Sequence, residues 1–438
     1  MNILYASQYF PPEMGAPAAR VSELASHWVK AGHQVTVLTG FPNHPTGVVP
    51  PEYRAKLRKL VSREQKDGIN VVRTWLMPLP NRKPYERILS YTSFLLSSCL
   101  TGTFLQRPEV VIATSPQPLV GLTGWWLSRI KRVPFILEIR DLWPDSLTGC
   151  GVGGEKSLMF RALRTLSKFL YRSCDHIVVV TPAFKKELVT KWCVSPEKIS
   201  VVENGVQTDL FSPDIRSGAY KNGLGLDGQF VVSYIGTLGQ AHGLSTALKS
   251  AAELQTAYPD IFFLFVGEGA DKEHLVTQAK NCNLHNVRFL PEKPREDIPS
   301  VIKASDICLV LLKKADVFKT VIPTKMLEFM ACGRPLILGV EGQARQIVEQ
   351  AQAGIFVEPE DPAALTQAIA RLYGDSDLRR TLGKNGRGYI VKHLSRHKTA
   401  QIYIDVLQNV VQNGTQRGKT PSRLEMRDNE SASKSGLR

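Results

Sequence analysis

Short apolar runs recur along the chain with polar, helically spaced segments between them. In the first half they occupy residues 3–6, 34–39, 110–114, 135–139 and 177–180. Strands separated by helical segments cannot be closed by tight turns, so this alternation predicts crossover connections and a parallel sheet. After the loop at 212–228 a second series follows at 230–235, 261–266, 287–290, 307–311, 335–338 and 355–357. The pattern therefore predicts two sheets in two domains, as a chain of 438 residues allows.

Turn chemistry bounds the elements. Gly32 follows a helix predicted over 17–31 and Gly333 one over 325–332, each where a left-handed residue ends a helix. Helical periodicity resumes over 395–413 through Ile402, Val406 and Val410, and residues 414–438 turn polar and Ser-rich, the composition of a disordered tail. The expected divisions are one Rossmann-like domain over 1–212, a second over 213–394, then the helix and the tail. A ligand in a crevice at the carboxyl ends of both sheets suits this architecture, which does not by itself choose a chemistry.

The composition, 43% hydrophobic and 22% charged, excludes disordered and collagen-like chains. The formal net charge of +15 favours anionic partners, and residues 1–212 hold most of the excess, with 26 basic against 16 acidic side chains. The seven cysteines, Cys99, Cys150, Cys174, Cys193, Cys282, Cys308 and Cys332, have no metal-ligand spacing and predict reduced, mostly buried thiols. The start lacks a basic n-region, so a secretory signal is not expected. Nineteen uncharged residues separate Arg87 from Arg107, but their Ser, Thr and Gly content argues against a membrane span.

The most informative stretch is Ile322-Pro323-Thr324-Lys325-Met326-Leu327-Glu328-Phe329-Met330-Ala331-Cys332-Gly333-Arg334-Pro335, a short helix between two strands. Thr324 is placed to cap it. Its start offers unpaired N–H groups and positive dipole to a phosphate, and Lys325 adds a charge there. Glu328 lies one turn on, roughly 5 to 6 Å along the axis, about the span from a nucleotide's phosphate to its ribose. The bland alternative, a Glu stabilising its own helix, fits poorly because a capping box needs three residues and not four after the cap.

The spelling Pro-x-Lys-x-x-Glu-x-Met-Ala-x-Gly-x-Pro over 323–335 resembles the donor-nucleotide motif of the GT-B retaining glycosyltransferases of family 4. Supporting signals are Tyr9-Phe10-Pro11-Pro12-Glu13-Met14-Gly15, Glu203-Asn204-Gly205-Val206 with Asp209 and Phe211, and Gly236 with Gly243. Within the family, Glu138-Ile139-Arg140-Asp141-Leu142-Trp143-Pro144 and Phe41-Pro42-Asn43-His44-Pro45 resemble the bacterial O-antigen and capsule enzymes of the N-acetyl-L-fucosamine transferase type. The resemblance implies two Rossmann-like α/β domains facing a central cleft, the one over 1–212 on the acceptor side and the one over 213–394 binding the nucleotide sugar, with the C-terminal helix crossing back to the first. It further implies a UDP-sugar donor as substrate, retention at the anomeric carbon, no cofactor and no bound metal. Asp375-Ser376-Asp377 is read as a helix cap and not as a metal motif.

Without metal the leaving diphosphate needs other positive partners: the helix start at Thr324 and Lys325, backbone N–H groups after Gly236, and those near Gly15 from the opposite domain. Many family members place Arg and Lys where this chain has Thr237 and His242, and a second Glu where it has Thr320. His242 contributes if protonated, or serves as a neutral hydrogen-bonding residue. Loss of the second Glu suits an N-acetylated or deoxy sugar. Where many members carry a His after the fifth strand, this chain supplies Arg140 and Asp141. Asp141 is a candidate to draw the proton from the attacking hydroxyl and Arg140 to contact phosphate, unless the two form a structural pair. Glu268, in Gly267-Glu268-Gly269, is placed at the crevice edge, where glycine permits close approach to the nucleotide. Asn43 and His44 are acceptor-side candidates, or a turn-stabilising Asn with an exposed His.

From Arg54 to Arg87 ten basic residues face only Glu64, Asp67 and Glu86. Followed by an uncharged helix over 88–105, this suits shallow attachment to an anionic membrane surface beside a polyprenyl-diphosphate-linked glycan acceptor, on the cytoplasmic face of the inner membrane. The alternative is a core helix beside a solvated face. Nucleic acid is not expected, since no binding module is recognisable. The leading expectation is an aminosugar transferase of surface polysaccharide biosynthesis. A UDP-sugar 2-epimerase on the same fold and a non-catalytic nucleotide-sugar-binding scaffold are the competing readings.

Overall fold

The computed structural model describes residues 1–417 apart from 14, 45, 81–82, 145–156 and 215–217. Met14, Pro45, Cys150 and the tail beyond residue 417 thus lie outside the described residues. The first sheet contains β1 (Asn2–Ala6), β2 (Gln34–Gly40), β3 (Val61–Lys66), β4 (Ile69–Thr74), β5 (Val110–Thr114), β6 (Phe135–Ile139), β7 (His176–Val179) and β8 (Ile199–Val201). Its order is β3-β4-β2-β1-β5-β6-β7-β8. The second contains β9 (Phe230–Ile235), β10 (Ile261–Val266), β11 (Val287–Leu290), β12 (Ile307–Leu311), β13 (Leu336–Gly339) and β14 (Gly354–Phe356), in the order β11-β10-β9-β12-β13-β14. Every pairing is parallel except β3 with β4.

The chain forms these sheets because its central strands carry apolar side chains on both faces. All residues of β5, β6, β9 and β12 are buried, as strands covered by helices on both sides must be. Each sheet reverses its strand order beside its first strand, between β1 and β5 and between β9 and β12. Crevices at the carboxyl ends of the strands open at such switch points. The architecture is two Rossmann-like α/β domains.

The hairpin β3–β4 was hidden in the basic stretch. β3 is a polar edge strand, and its turn at Asp67 and Gly68 takes positive φ at both residues, as a tight hairpin requires. The hairpin also breaks up the expected basic patch. Arg73 is fully buried, with Nε 2.7 Å from Glu64 Oε1 and Nη2 donating to Pro11 O. Among the six described cysteines, all free, Cys174, Cys308 and Cys332 are buried, Cys99 is half-buried, and Cys193 and Cys282 are exposed.

The last described helix, Arg396–Arg417, runs four residues past the expected end. It lies on the first domain's helix Ala16–Lys30. Trp28 Nε1 donates to Ala400 O at 3.1 Å, and the fully buried Tyr403 ring meets Trp28 edge-on at 5.3 Å. Replacing Tyr403 by Ala removes this anchor and leaves a cavity between the helices. The expected cost is about 3–5 kcal/mol, read as a lower denaturant midpoint with earlier proteolysis in 396–417. Unchanged protection of that helix would contradict its dependence on Tyr403.

Candidate functional site

The helix Thr324–Ala331 lies between β12 and β13 and starts at the mouth of the second domain's crevice. Pro323 takes the cap position and Thr324 is the first helical residue, without a side-chain cap, which corrects the expected role of Thr324. The first-turn N–H groups therefore have no side-chain partner at the cap. Lys325 Nζ donates to Tyr234 Oη at 2.6 Å and sits 3.9 Å from the centre of the Tyr234 ring. Tyr234 Oη in turn donates to Thr237 O at 2.8 Å. Gly236 has φ +133°, and a Cβ there would come within 2.8 Å of Lys325 Nζ.

Burial pushes the Lys325 ammonium down to about 7, only partly opposed by Glu328. Among the described residues it forms no ion pair, so an anion entering here finds an uncommitted cation. His242 stands close by, its ring 5.8 Å from that of Tyr234. Burial first and Lys325 second lower it to about 4, which leaves it neutral near pH 7 and removes the expectation that it supplies charge. Glu268 is half-exposed and paired with Lys272 at 2.6 Å. The glycine before it serves the protein itself: a Cβ on Gly267 would lie 2.0 Å from Gly236 O. That position permits two loops to touch. Thr320 closes a short 3-10 turn, Asp316–Thr320, its hydroxyl donating to Val317 O at 3.0 Å. Asp375 caps its helix, accepting from Leu378 N at 2.8 Å.

Glu328 is buried one turn into the helix and accepts from Arg295 Nη1 at 2.9 Å. Arg295 also grips Glu23 of the first domain, through Nε at 3.1 Å and Nη2 at 2.7 Å. Glu23 is held on its other oxygen by Arg396 Nε at 2.7 Å. Burial raises the Glu328 carboxyl above the usual range and Arg295 draws it back. Burial also disfavours the Arg295 charge, but Glu328 and Glu23 more than offset it.

Across the cleft, Gly15 precedes the helix Ala16–Lys30 with φ +115°, a conformation glycine adopts without strain. Arg140 follows β6 and donates from Nη1 to Pro17 O at 3.4 Å, beside that helix start. Its Nε is buried without a partner, and burial, then Arg20, hold the guanidinium below its usual range. Burial pushes Asp141 up to about 6, against the pull of Arg140. Asn43 and His44 are organised by Glu13, whose Oε1 accepts both backbone N–H groups at 3.0 Å. Asn43 Nδ2 is buried without a partner, and the His44 ring lies 5.1 Å from Tyr9. Burial raises Glu13 to about 7, opposed by the N–H groups of Asn43, His44 and Phe10.

The structure thus groups Gly236, Thr237, His242, Thr324 and Lys325 on one side, Gly15, Arg140 and Asp141 on the other, and Asn43 with His44 on a separate loop. Sequence reasoning missed Arg295, Glu23 and Tyr234, which carry no motif of their own, and passed over Glu13 although it stands inside one. Arg295→Met leaves Glu23 and Glu328 with one cation fewer, raising the Glu328 pKa further. A carboxyl whose folded pKa lies above its unfolded value loses stability as pH rises between the two. The variant's melting temperature should therefore fall further below wild type at pH 8 than at pH 5. An equal deficit at both would mean that Arg295 contributes packing alone.

Comparison with known proteins agrees with this arrangement. Residues 15–205 match the glycosyl transferase 4-like domain and residues 219–389 the glycosyl transferases group 1 family. The chain is 25% identical over 382 residues to the putative colanic acid biosynthesis glycosyl transferase WcaI of Escherichia coli, covering 84% of this chain and 91% of that one. It is 26% identical over 285 residues to the probable glycosyltransferase WbjE of Pseudomonas aeruginosa, covering 64% and 69%. In fold it resembles a sucrose-phosphate synthase from Thermosynechococcus elongatus, with TM-score 0.73, 20% identity and coverage of 93% and 98%. It also resembles Anabaena HepE in complex with UDP and glucose, with TM-score 0.69, 17% identity and coverage of 93% and 99%. The first half of the chain thus matches the glycosyl transferase 4-like domains and the second half the glycosyl transferases group 1 family, and the two together have the GT-B fold.

Proposed function

We propose that this protein transfers a sugar from a UDP-sugar to a polyprenyl-diphosphate-linked glycan during surface polysaccharide biosynthesis of the O-antigen or capsule type. The observation that carries the donor half is Lys325, a half-buried cation at a helix start with no carboxylate partner among the described residues, with Glu328 one turn further in. The diphosphate would lie on the helix start, Lys325 and the N–H groups after Gly236, and the ribose hydroxyls would donate to Glu328, whose charge Arg295 favours against the effect of burial. HepE, of the same fold, holds UDP. WcaI supports the polysaccharide assignment by its name, and WbjE supports sugar transfer by its own.

In the transfer the acceptor hydroxyl oxygen bonds to the anomeric carbon while the bond from that carbon to the diphosphate oxygen breaks. UDP leaves with the electron pair. Asp141 is proposed to take the hydroxyl proton and Arg140 to face the diphosphate from the first domain. Retention, independence of metal and of any cofactor, and an N-acetylated aminosugar such as N-acetyl-L-fucosamine belong to this reading. They rest on the family resemblance and on Thr320 standing where a second Glu is common. Asn43 and His44 are assigned to the acceptor.

Purified protein given UDP-N-acetyl sugars and membrane lipid should release UDP in a lipid-dependent way, with Glu328→Ala and Lys325→Ala each slower by about 10²-fold or more. Release insensitive to both changes removes this site. An isomerised donor formed without lipid would indicate an epimerase, and donor binding without release a scaffold. UDP binding should also take up a proton at Lys325, because an anion raises a depressed lysine pKa. Affinity should therefore weaken as pH rises from 7 towards 9 in wild type and show a flatter profile in Lys325→Met, by calorimetry.

A further inference from the structure

The first domain turns one wall of three adjacent helices to solvent, and that wall combines apolar and basic side chains with almost no acid. The helices are Pro84–Thr103, Val120–Lys131 and Leu158–Ser173. They are joined side by side. Ser98 and Thr123 hydroxyls meet at 2.9 Å, and Trp126 Nε1 donates to Thr103 Oγ1 at 3.2 Å. The Trp125 and Phe169 rings meet edge-to-face at 5.2 Å.

The first helix is buried on its small-residue side, through Ser90, Phe94 and Ser98, and exposed on the opposite side. Leu96, Leu100 and Phe104 follow one another at four-residue spacing and are 67%, 66% and 78% exposed. Trp126 and Ile130 continue the apolar surface on the second helix. The third helix adds Arg161, Arg164, Lys168 and Arg172, all exposed and spaced to share one face. Of the acidic residues, these helices contain only Glu86, and it is buried. Isolated exposed leucines need no explanation, but a contiguous apolar stripe bordered by cations and cleared of anions does.

We infer that this three-helix wall is the surface by which the protein lies on an anionic lipid bilayer, the apolar stripe entering the acyl boundary and the basic helix facing acidic headgroups. No helix among the described residues is long and apolar enough to cross a membrane, so the contact is parallel to the surface. The wall differs from the expected one, because the basic run over 54–87 is divided between a helix and a hairpin and Arg73 is buried. The helix that carries the stripe packs near the end of β1, where Gln8 Nε2 lies 3.4 Å from Ser90 Oγ, and the stripe runs from there towards the strand starts, where Phe104 stands with Asn2 and Gln34. The inference extends the proposed function by naming the surface from which a lipid-linked acceptor would be taken.

The test is sedimentation of the full chain with vesicles of phosphatidylglycerol mixed with phosphatidylcholine, and of phosphatidylcholine alone, with UDP affinity as a control for folding. Binding is expected only to the anionic vesicles. At about 1 kcal/mol per basic residue, Arg161→Glu with Lys168→Glu should weaken it by about tenfold or more, and added salt should weaken it further. Leu96→Glu with Leu100→Glu should abolish it, with UDP affinity unchanged in both variants. No wild-type binding, or equal binding by the variants, overturns the inference. So does a concentration-dependent dimer, without vesicle binding, that the leucine changes dissolve. Because no donor or turnover enters the measurement, a failure here is distinct from a failure of the UDP assay.

Discussion

The two halves of the molecule are tied at a buried line of alternating charge, Glu328, Arg295, Glu23 and Arg396, with successive contacts of 2.9, 2.7 and 2.7 Å. Each member comes from a different element: the helix at the nucleotide crevice, the segment after β11, the first helix of the first domain, and the last helix. Two cations and two anions cancel, and the alternation leaves no member without an opposite neighbour. Burying ions costs several kcal/mol apiece before pairing, so such a line is weak evidence of added stability. What it supplies is position, because a single missing partner leaves an uncompensated charge and the cost confines all four elements to one relative placement.

The loops after β9 and β10 obey a second constraint, that of backbone contact. Gly236 and Gly267 bring the ends of β9 and β10 so close that a methyl group on the latter would overlap a carbonyl. The loop thus closed presents Thr237 O to Tyr234, and Tyr234 carries Lys325. A lysine held by a phenol keeps its position without surrendering its charge to a carboxylate, and its proton affinity follows whatever anion arrives. The loop of Asn43 and His44 uses the opposite device. There a carboxylate, Glu13, gathers backbone N–H groups and leaves Asn43 Nδ2 unspent.

Much of this was legible in the sequence because buried parallel strands must be apolar on both faces and helices must end somewhere. β5, β6, β9, β10, β11 and β12 lie at the residues read from the apolar runs. Gly32 and Gly333 have the positive φ expected of them. β3 escaped notice because an edge strand is free to be polar, and β8 because three residues make no period. At the site, Lys325 and Glu328 were visible through their spacing on one helix. Arg295 was not, since its partners stand 33 and 272 residues away and no local pattern encodes a contact of that kind. The neutrality of His242 depends on burial and on Lys325, both of which exist only after folding.

The bond from Trp28 to Ala400 spans 372 residues. A ribosome adding about 5–20 residues per second needs roughly 20–70 s to make that interval. For about the second half of it the outer flank of the first domain has no partner, although the strands beneath it, β1 to β8, have already been made. The nascent first domain therefore waits, nearly complete but with Trp28 uncovered, while the whole of the second domain is made. Its final closure comes only when the second domain is present to be closed upon.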